Sequence, residues 1–211
     1  MAARPLRIGI LVIVAFAAGL ILARVLTPAR VELPQTERAT VFPTARALPT
    51  LDLTSQDGQP LPADFLSGHW TLVFFGFTQC PDICPTTLAV LAQAGRQLAD
   101  LPQAEQPRVL LVSVDPERDT PERLAAYVRF FDPAFLGATG SLESIAATAA
   151  AFGVPYAKVT MPEGGYTMDH GSGIFVVGPT GGIVAYLSAP HDAGVIARDY
   201  RKLLAWQASS Q

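Results

Sequence analysis

TLVFFGFTQCPDICPTTL, residues 71–88, is the stretch on which the fold turns. Leu72 to Phe77 is a short, aromatic-rich run without charge, which predicts a buried strand. The run breaks at Thr78-Gln79, and the two cysteines of the chain follow, Cys80 and Cys84, each with a proline after it. Pro85 suits the first turn of a helix, where a missing N–H costs little, so a helix is expected next. Both thiols therefore fall where a strand ends and a helix begins. Unpaired backbone N–H groups and the helix dipole favour a thiolate at such a junction. A thiolate serves either as a nucleophile or as a soft metal ligand.

Working outward, the first 31 residues contain Arg4, Arg7, Arg24 and Arg30 but no acid, while the chain as a whole carries a net charge of -3. The remaining eleven basic residues then face all eighteen acids, a balance of −7. An acidic domain of this kind gives no reason to expect nucleic acid as a partner. Two cysteines are too few for a disulfide scaffold, and their spacing points to a local site. Between Arg7 and Arg24 lies the uncharged apolar run Ile8 to Ala23. It reads as a membrane anchor over residues 1–26, with a cleaved signal peptide as the alternative. Either way Arg4 and Arg7 stay in the cytoplasm and the remainder is exported, beyond the reducing cytosol. Residues 27–49, with Pro28, Pro34, Pro43 and Pro49, read as a tether.

From residue 50 to 207 strand and helix patterns alternate. Strands are expected at Leu51–Leu53, Trp70–Phe77 and Val109–Val114, with a turn at Asp57-Gly58. Helices are expected at Thr86–Leu101, after Asp119-Thr120-Pro121-Glu122, from Ser141 to Phe152, and from Ala193 to Trp206. Ile174–Val177 and Ile183–Leu187 read as a hairpin closed by Gly178-Pro179-Thr180-Gly181-Gly182. A βαβα run, then a hairpin and a closing helix, with cysteines after the first long strand, is the thioredoxin-like arrangement. The fold class expected is α/β, a central mixed sheet flanked by helices, preceded by one N-terminal transmembrane helix. The functional loops then lie at the carboxyl ends of the parallel strands, where the cysteines fall.

Thioredoxin-type oxidoreductases use CxxC, whereas this chain has CxxxC. Helical positions i and i+4 share a face, so both sulfurs can meet one ion; they can also form a disulfide if the first stays in the loop. A metal then needs a third ligand. His69 precedes the strand at its far end and reads as a surface residue; His191, in a Pro-His-Asp turn, reads as solvent-facing or capping. His170 lies in Met168-Asp169-His170-Gly171-Ser172-Gly173, directly before a strand whose leading loop faces the cysteine loop in this fold. Ordinary thioredoxin-like oxidoreductases carry a cis-proline here, and this chain has Gly-Ser-Gly instead. Two sulfurs and an imidazole suit copper, Cu(I) through the thiolates and Cu(II) through the added nitrogen. Zinc would accept the same set with a water. Met161 and Met168 read as loop packing rather than ligands. Asp115, at the end of the second long strand, is a candidate for an outer contact to the site or for a loop cap. Asp119 and Thr120 read as helix caps, and so does Asp82.

GFTQCPDICPTTL, VSVDPERDTPERL, FLGATGS and MDHGSGIFVVGPTG resemble, in order and spacing, the Sco/SenC family of copper-binding proteins. The resemblance runs from Leu48 to Leu204 and implies a thioredoxin-like domain on one N-terminal helix. It implies copper bound by Cys80, Cys84 and His170, with Cys80 and Cys84 also a redox-active disulfide pair. It implies the binuclear copper A domain of cytochrome c oxidase subunit II as partner, with other periplasmic copper chaperones as candidates. The implied location is the bacterial inner membrane, single-pass, with the domain in the periplasm. Gln79, Gly171 and Gly178 stand where many members have His, Thr and Asp, and none of these changes removes a ligand. The expected activity is that of a metallochaperone rather than an enzyme; the alternative is a membrane-tethered thiol–disulfide oxidoreductase that reduces the copper A cysteines or senses redox state. Peroxide reduction needs a low-pKa cysteine beside Thr and Arg, and no such pattern is present.

Overall fold

The computed structural model describes residues 9, 13, 15–20, 22, 24 and 32–209. The chain divides into two units, Met1–Glu32 and Leu33–Gln211. Among the described residues no helix is long and apolar enough to cross a membrane. The expected anchor, Ile8 to Ala23, lies in large part outside them.

In the second unit the elements run β1 (Ala39–Arg46), β2 (Thr54–Ser55), β3 (Thr71–Gly76), α1 (Ile83–Gln97), β4 (Arg108–Ser113), α2 (Pro121–Phe131), β5 (Leu136–Thr139), α3 (Leu142–Phe152), β6 (Tyr156–Thr160), β7 (Tyr166–His170), β8 (Ile174–Val177), β9 (Ile183–Leu187) and α4 (Ala193–Ser209). Seven strands form one mixed sheet in the order β1-β9-β8-β3-β4-β5-β2. β3 and β4 pair in parallel from Thr71↔Arg108 to Gly76↔Ser113, and β5 continues the parallel set. On its other side β3 meets β8 antiparallel, Thr71↔Val177 to Phe74↔Ile174. Every residue of β3 is buried, as a strand covered on both faces must be if its sequence carries no polar alternation. Phe152 of α3 meets Phe75 and Phe175 edge-on, at 5.2 Å from each. Tyr200 of α4 meets Trp70 in the same way at 5.7 Å. The architecture is thioredoxin-like, as expected.

Three local expectations are corrected. The Pro-rich stretch expected as a tether as far as Pro49 contributes a strand, β1, paired antiparallel with β9 at the sheet edge. Only Val41 of β1 is buried, so its period-2 signal was faint, and an edge strand with a register shift tolerates Pro43. Its start is held by Asp199, a fully buried carboxylate that accepts the backbone N–H groups of Glu37, Arg38 and Ala39 at 2.8, 2.8 and 2.9 Å. The early short strand is Thr54–Ser55 rather than Leu51–Leu53, because it pairs with β5, an element the sequence pattern did not reveal. The third correction concerns the segment before His170. It is a free-standing two-stranded ribbon, β6–β7, in register from Tyr156↔His170 to Thr160↔Tyr166.

Candidate metal centre

α1 begins three residues earlier than the periodicity suggested, at Ile83. Cys84 is therefore inside the first turn, while Cys80 remains in the loop. Asp82 occupies the N-cap position but makes no side-chain cap bond. The sulfur of Cys80 takes that role, accepting the N–H of Cys84 at 3.4 Å. One of the orphan donors at the helix start is thus satisfied by the first thiol.

Cys84 is fully buried against β3, and Gly76 makes room for it. A β-carbon on Gly76 would stand 2.9 Å from the Cys84 sulfur, 3.1 Å from Phe74 Cε1 and 3.2 Å from Leu111 Cδ1. Gly76 is the one small residue in an otherwise bulky run, a signal the strand reading passed over.

The ribbon delivers His170 at the end of β7. Its Nδ1 lies 3.0 Å from the carbonyl oxygen of Gly171. A carbonyl only accepts, so Nδ1 carries the proton and Nε2 presents a lone pair. That lone pair lies 3.4 Å from the Cys84 sulfur. Phe74 and Phe77 flank the imidazole edge-on at 6.0 and 5.9 Å. Burial lowers the His170 pKa below its ordinary value, partly offset by the Gly171 carbonyl, which keeps the ring in its ligating form. The ligand atoms of Cys80, Cys84 and His170 all lie within 4.8 Å of one another, and both cysteines are free. Two sulfurs at about 2.3 Å on opposite sides of an ion stand about 4.6 Å apart, so the cluster closes on a metal with little movement. The expected thiolate is corrected at Cys84: burial, then its hydrogen bond with Cys80, pushes that thiol well above the ordinary range. In the absence of a metal the helix N-terminus does not outweigh desolvation there.

The other named residues are distributed as follows. His69 is exposed at the far end of β3, as expected. His191 is half-buried rather than solvent-facing, because its Nε2 meets the Ser172 carbonyl at 2.7 Å, beside the ligand loop. Met161 is exposed and Met168 packs against the core. Asp115 is buried but touches no ligand; it accepts from Arg118 Nε and, at 2.8 Å, from the Tyr166 hydroxyl. Thr120 is the N-cap of α2, its hydroxyl accepting from Arg123 N. Asp119 is not a cap. It is fully buried and accepts the Thr78 N–H at 3.0 Å, the Thr78 hydroxyl at 2.6 Å and the Ser113 hydroxyl at 2.6 Å. It thereby ties the start of the cysteine loop to the end of β4. The strand–helix reading gave this aspartate to the helix because Asp-Thr-Pro is also a cap pattern. At Gly173 the backbone passes so close to Tyr186 that a β-carbon would lie 2.0 Å from its hydroxyl oxygen.

Fold and site together define a thioredoxin-like protein whose thiol pair is joined by an imidazole. The SCO1/SenC family pattern matches residues 43–205, and the chain belongs to that family. The SCO2 homolog of Bos taurus mitochondria is 41% identical over 144 residues, 68% of this chain and 54% of that protein. The chain thus spans about half the length of that relative. The crystal structure of Arabidopsis thaliana ScoI with copper bound superposes with a TM-score of 0.69 at 33% identity, covering 72% of this chain and 94% of the other. BsSco, described as having a disulfide switch and as a member of the Sco family of cytochrome c oxidase assembly proteins, superposes with a TM-score of 0.55 at 27% identity, covering 82% and 96%.

Proposed function

We propose that this protein binds one copper ion through Cys80, Cys84 and His170 and delivers it to the binuclear copper A site of cytochrome c oxidase subunit II. The observation that carries the reading is the convergence of two free sulfurs and a correctly tautomerised imidazole within 4.8 Å. Soft thiolates hold Cu(I), the imidazole completes a set for Cu(II), and copper is cargo here rather than a resident cofactor. Membership in a family with members crystallised with copper supports the metal. The BsSco description supports the oxidase as destination. The protein acts as a carrier rather than an enzyme, tethered to the bacterial inner membrane with its domain in the periplasm; the arginine-flanked run Ile8 to Ala23 supports that placement.

The test is metal analysis of the purified, reduced chain after Cu(I) or Cu(II) is added. One copper per chain is expected, with an intense sulfur-to-copper absorption for Cu(II) that Cys80→Ser and Cys84→Ser each abolish. In copper-limited cells His170→Ala is expected to lose copper A loading. Full loading with that variant at native expression would refute delivery.

A second reading has an observation of its own. Cys80, in the loop, is the less buried of the two cysteines and Cys84, in the helix, the fully buried one, an order that suits an attacking and a resolving thiol. On this reading the pair reduces the copper A cysteines, and His170→Ala leaves thiol exchange intact.

A further inference from the structure

The ribbon that carries His170 meets the core through few side chains, Tyr156 and Met168 among them. It belongs to no larger sheet, none of its strand residues is fully buried, and a two-stranded hairpin alone is marginally stable in water. Yet its last residue must stand a few ångströms from a buried sulfur. Contacts at the ligand end help, since His170 rests between Phe74 and Phe77. At the other end of β7 lies a second fixture.

Tyr166, which starts β7, is sandwiched between two cations. The Arg118 guanidinium carbon lies 3.8 Å from the ring centre and Lys158 Nζ lies 3.9 Å from it. Its hydroxyl donates to Asp115 at 2.8 Å, with Glu117 at 3.3 Å, and its carbonyl accepts from Arg118 Nη1 at 2.9 Å. The same Nη1 donates to the Gln79 side chain at 3.0 Å, and Gln79 immediately precedes Cys80. Arg118 Nε donates to Asp115, a carboxylate only 2% exposed. Arg118 therefore joins three segments: the loop entering the thiol site, the loop after β4, and the ribbon. The Lys158–Glu117 pair is about half-exposed on both sides, so it adds little to this fixture.

We propose that Arg118 and Tyr166, anchored by Asp115, are positioning residues that hold the His170 ribbon in register with the Cys80–Cys84 loop and so set how well a third ligand meets the metal. The proposal rests on His170 being a ligand. Neither residue touches a ligand atom, and Tyr166, unlike Arg118, makes no contact with the thiol loop, so the effect of losing the tyrosine falls on states that use the imidazole. Cu(II) is such a state, whereas two thiolates alone can hold Cu(I).

The test is titration of the full chain with Cu(II), read by the sulfur-to-copper band and by nitrogen hyperfine coupling, beside Cu(I) competition with a chelator. Variants are Tyr166→Ala, Tyr166→Phe and Arg118→Lys, with His170→Ala as reference. Tyr166→Ala is expected to weaken Cu(II) by about 10- to 100-fold, the range for outer contacts of a metal site. It should weaken Cu(I) by less than about threefold and reduce the nitrogen coupling. Tyr166→Phe keeps the ring between the cations and should recover part of the loss. Equal losses for Cu(I) and Cu(II), or unchanged nitrogen coupling, would overturn the proposal in favour of a merely structural role. If His170→Ala weakens Cu(II) and neither Tyr166→Ala nor Arg118→Lys does, the clamp alone is refuted. If His170→Ala itself leaves Cu(II) binding unchanged, the ligand assignment falls and the clamp with it.

Discussion

Gly76→Ala adds a single methyl group at the back of the metal site, and the structure says what it meets. The new carbon stands 2.9 Å from the Cys84 sulfur, where ordinary non-bonded contacts lie at about 3.5–4.0 Å. The sulfur must retreat by roughly 0.6–1.1 Å, or the strand and helix must part by as much. Phe74 and Leu111, at 3.1 and 3.2 Å, close the other ways out. Inserting a methyl into a packed core of this kind costs about 1–3 kcal/mol. That strain has two places to appear. If the sulfur keeps its position, the metal-free protein loses stability, and its melting temperature falls by about 2–4 °C for each kcal/mol. If Cys84 turns away, stability is spared and the metal must drive the sulfur back, which weakens binding by roughly 5- to 150-fold. Calorimetry of the metal-free variant and Cu(I) competition together capture the sum. Gly95→Ala is the control, because nothing lies within 4 Å of a β-carbon there on the exposed side of α1. That change should stabilise by about 0.5–1 kcal/mol through helix propensity. Gly76→Ala with both melting temperature and copper affinity unchanged would refute the packing account of Cys84.

Asp119→Ala leaves the buried Ser113 hydroxyl and the two half-buried Thr78 donors without their acceptor, so a loss of roughly 1–3 kcal/mol is expected from urea denaturation, with Cys80 alkylated faster in the folded protein; unchanged stability would show that water reaches these groups. Asp199→Ala frees the backbone N–H groups of residues 37–39, and hydrogen exchange there should accelerate while β3 stays protected. The metal-free protein should also lose stability at both ends of the pH scale. His170 and His191 have lowered folded pKa values from burial, so the unfolded chain takes up protons first, and stability falls as pH drops below about 6.5. Cys84 has a raised folded pKa, so the unfolded chain loses its proton first, and stability falls as pH rises above about 9.0. Denaturation midpoints across pH check this, with Cys84→Ser flattening the alkaline limb; an alkaline limb untouched by that variant would refute the assignment.

The three residues that converge at the candidate site were legible in the sequence for a physical reason. Cys80, Cys84 and His170 announce themselves by type, and their placement follows from strand ends that a buried sheet fixes. The central strand and the closing helix were equally plain, since both bury long apolar patterns. What supports the site was not legible. Gly76 works through an absence of atoms, visible only once Cys84 is placed against it. Asp119 sits in a run whose local chemistry also satisfies a helix cap, and nothing in one dimension tells which donors it reaches. The β6–β7 ribbon buries too little for a pattern to register, and β1 hid among prolines because a half-exposed edge strand carries one buried residue.

Gly173 also couples two positions across the sheet. An ordinary thioredoxin-like oxidoreductase has proline at this corner of the sheet. Proline has a β-carbon, and here that carbon would lie 2.0 Å from the Tyr186 hydroxyl oxygen. A residue with a β-carbon at position 173 therefore requires the Tyr186 ring to swing away or to be replaced by a smaller side chain. Tyr186 also packs against Phe175 of β8, with ring centres 5.0 Å apart and the rings tilted, so displacing or shrinking it gives up that contact. Positions 173 and 186 are therefore coupled: a β-carbon at one and the tyrosine ring in its present place at the other exclude each other, so a change at either is felt at both.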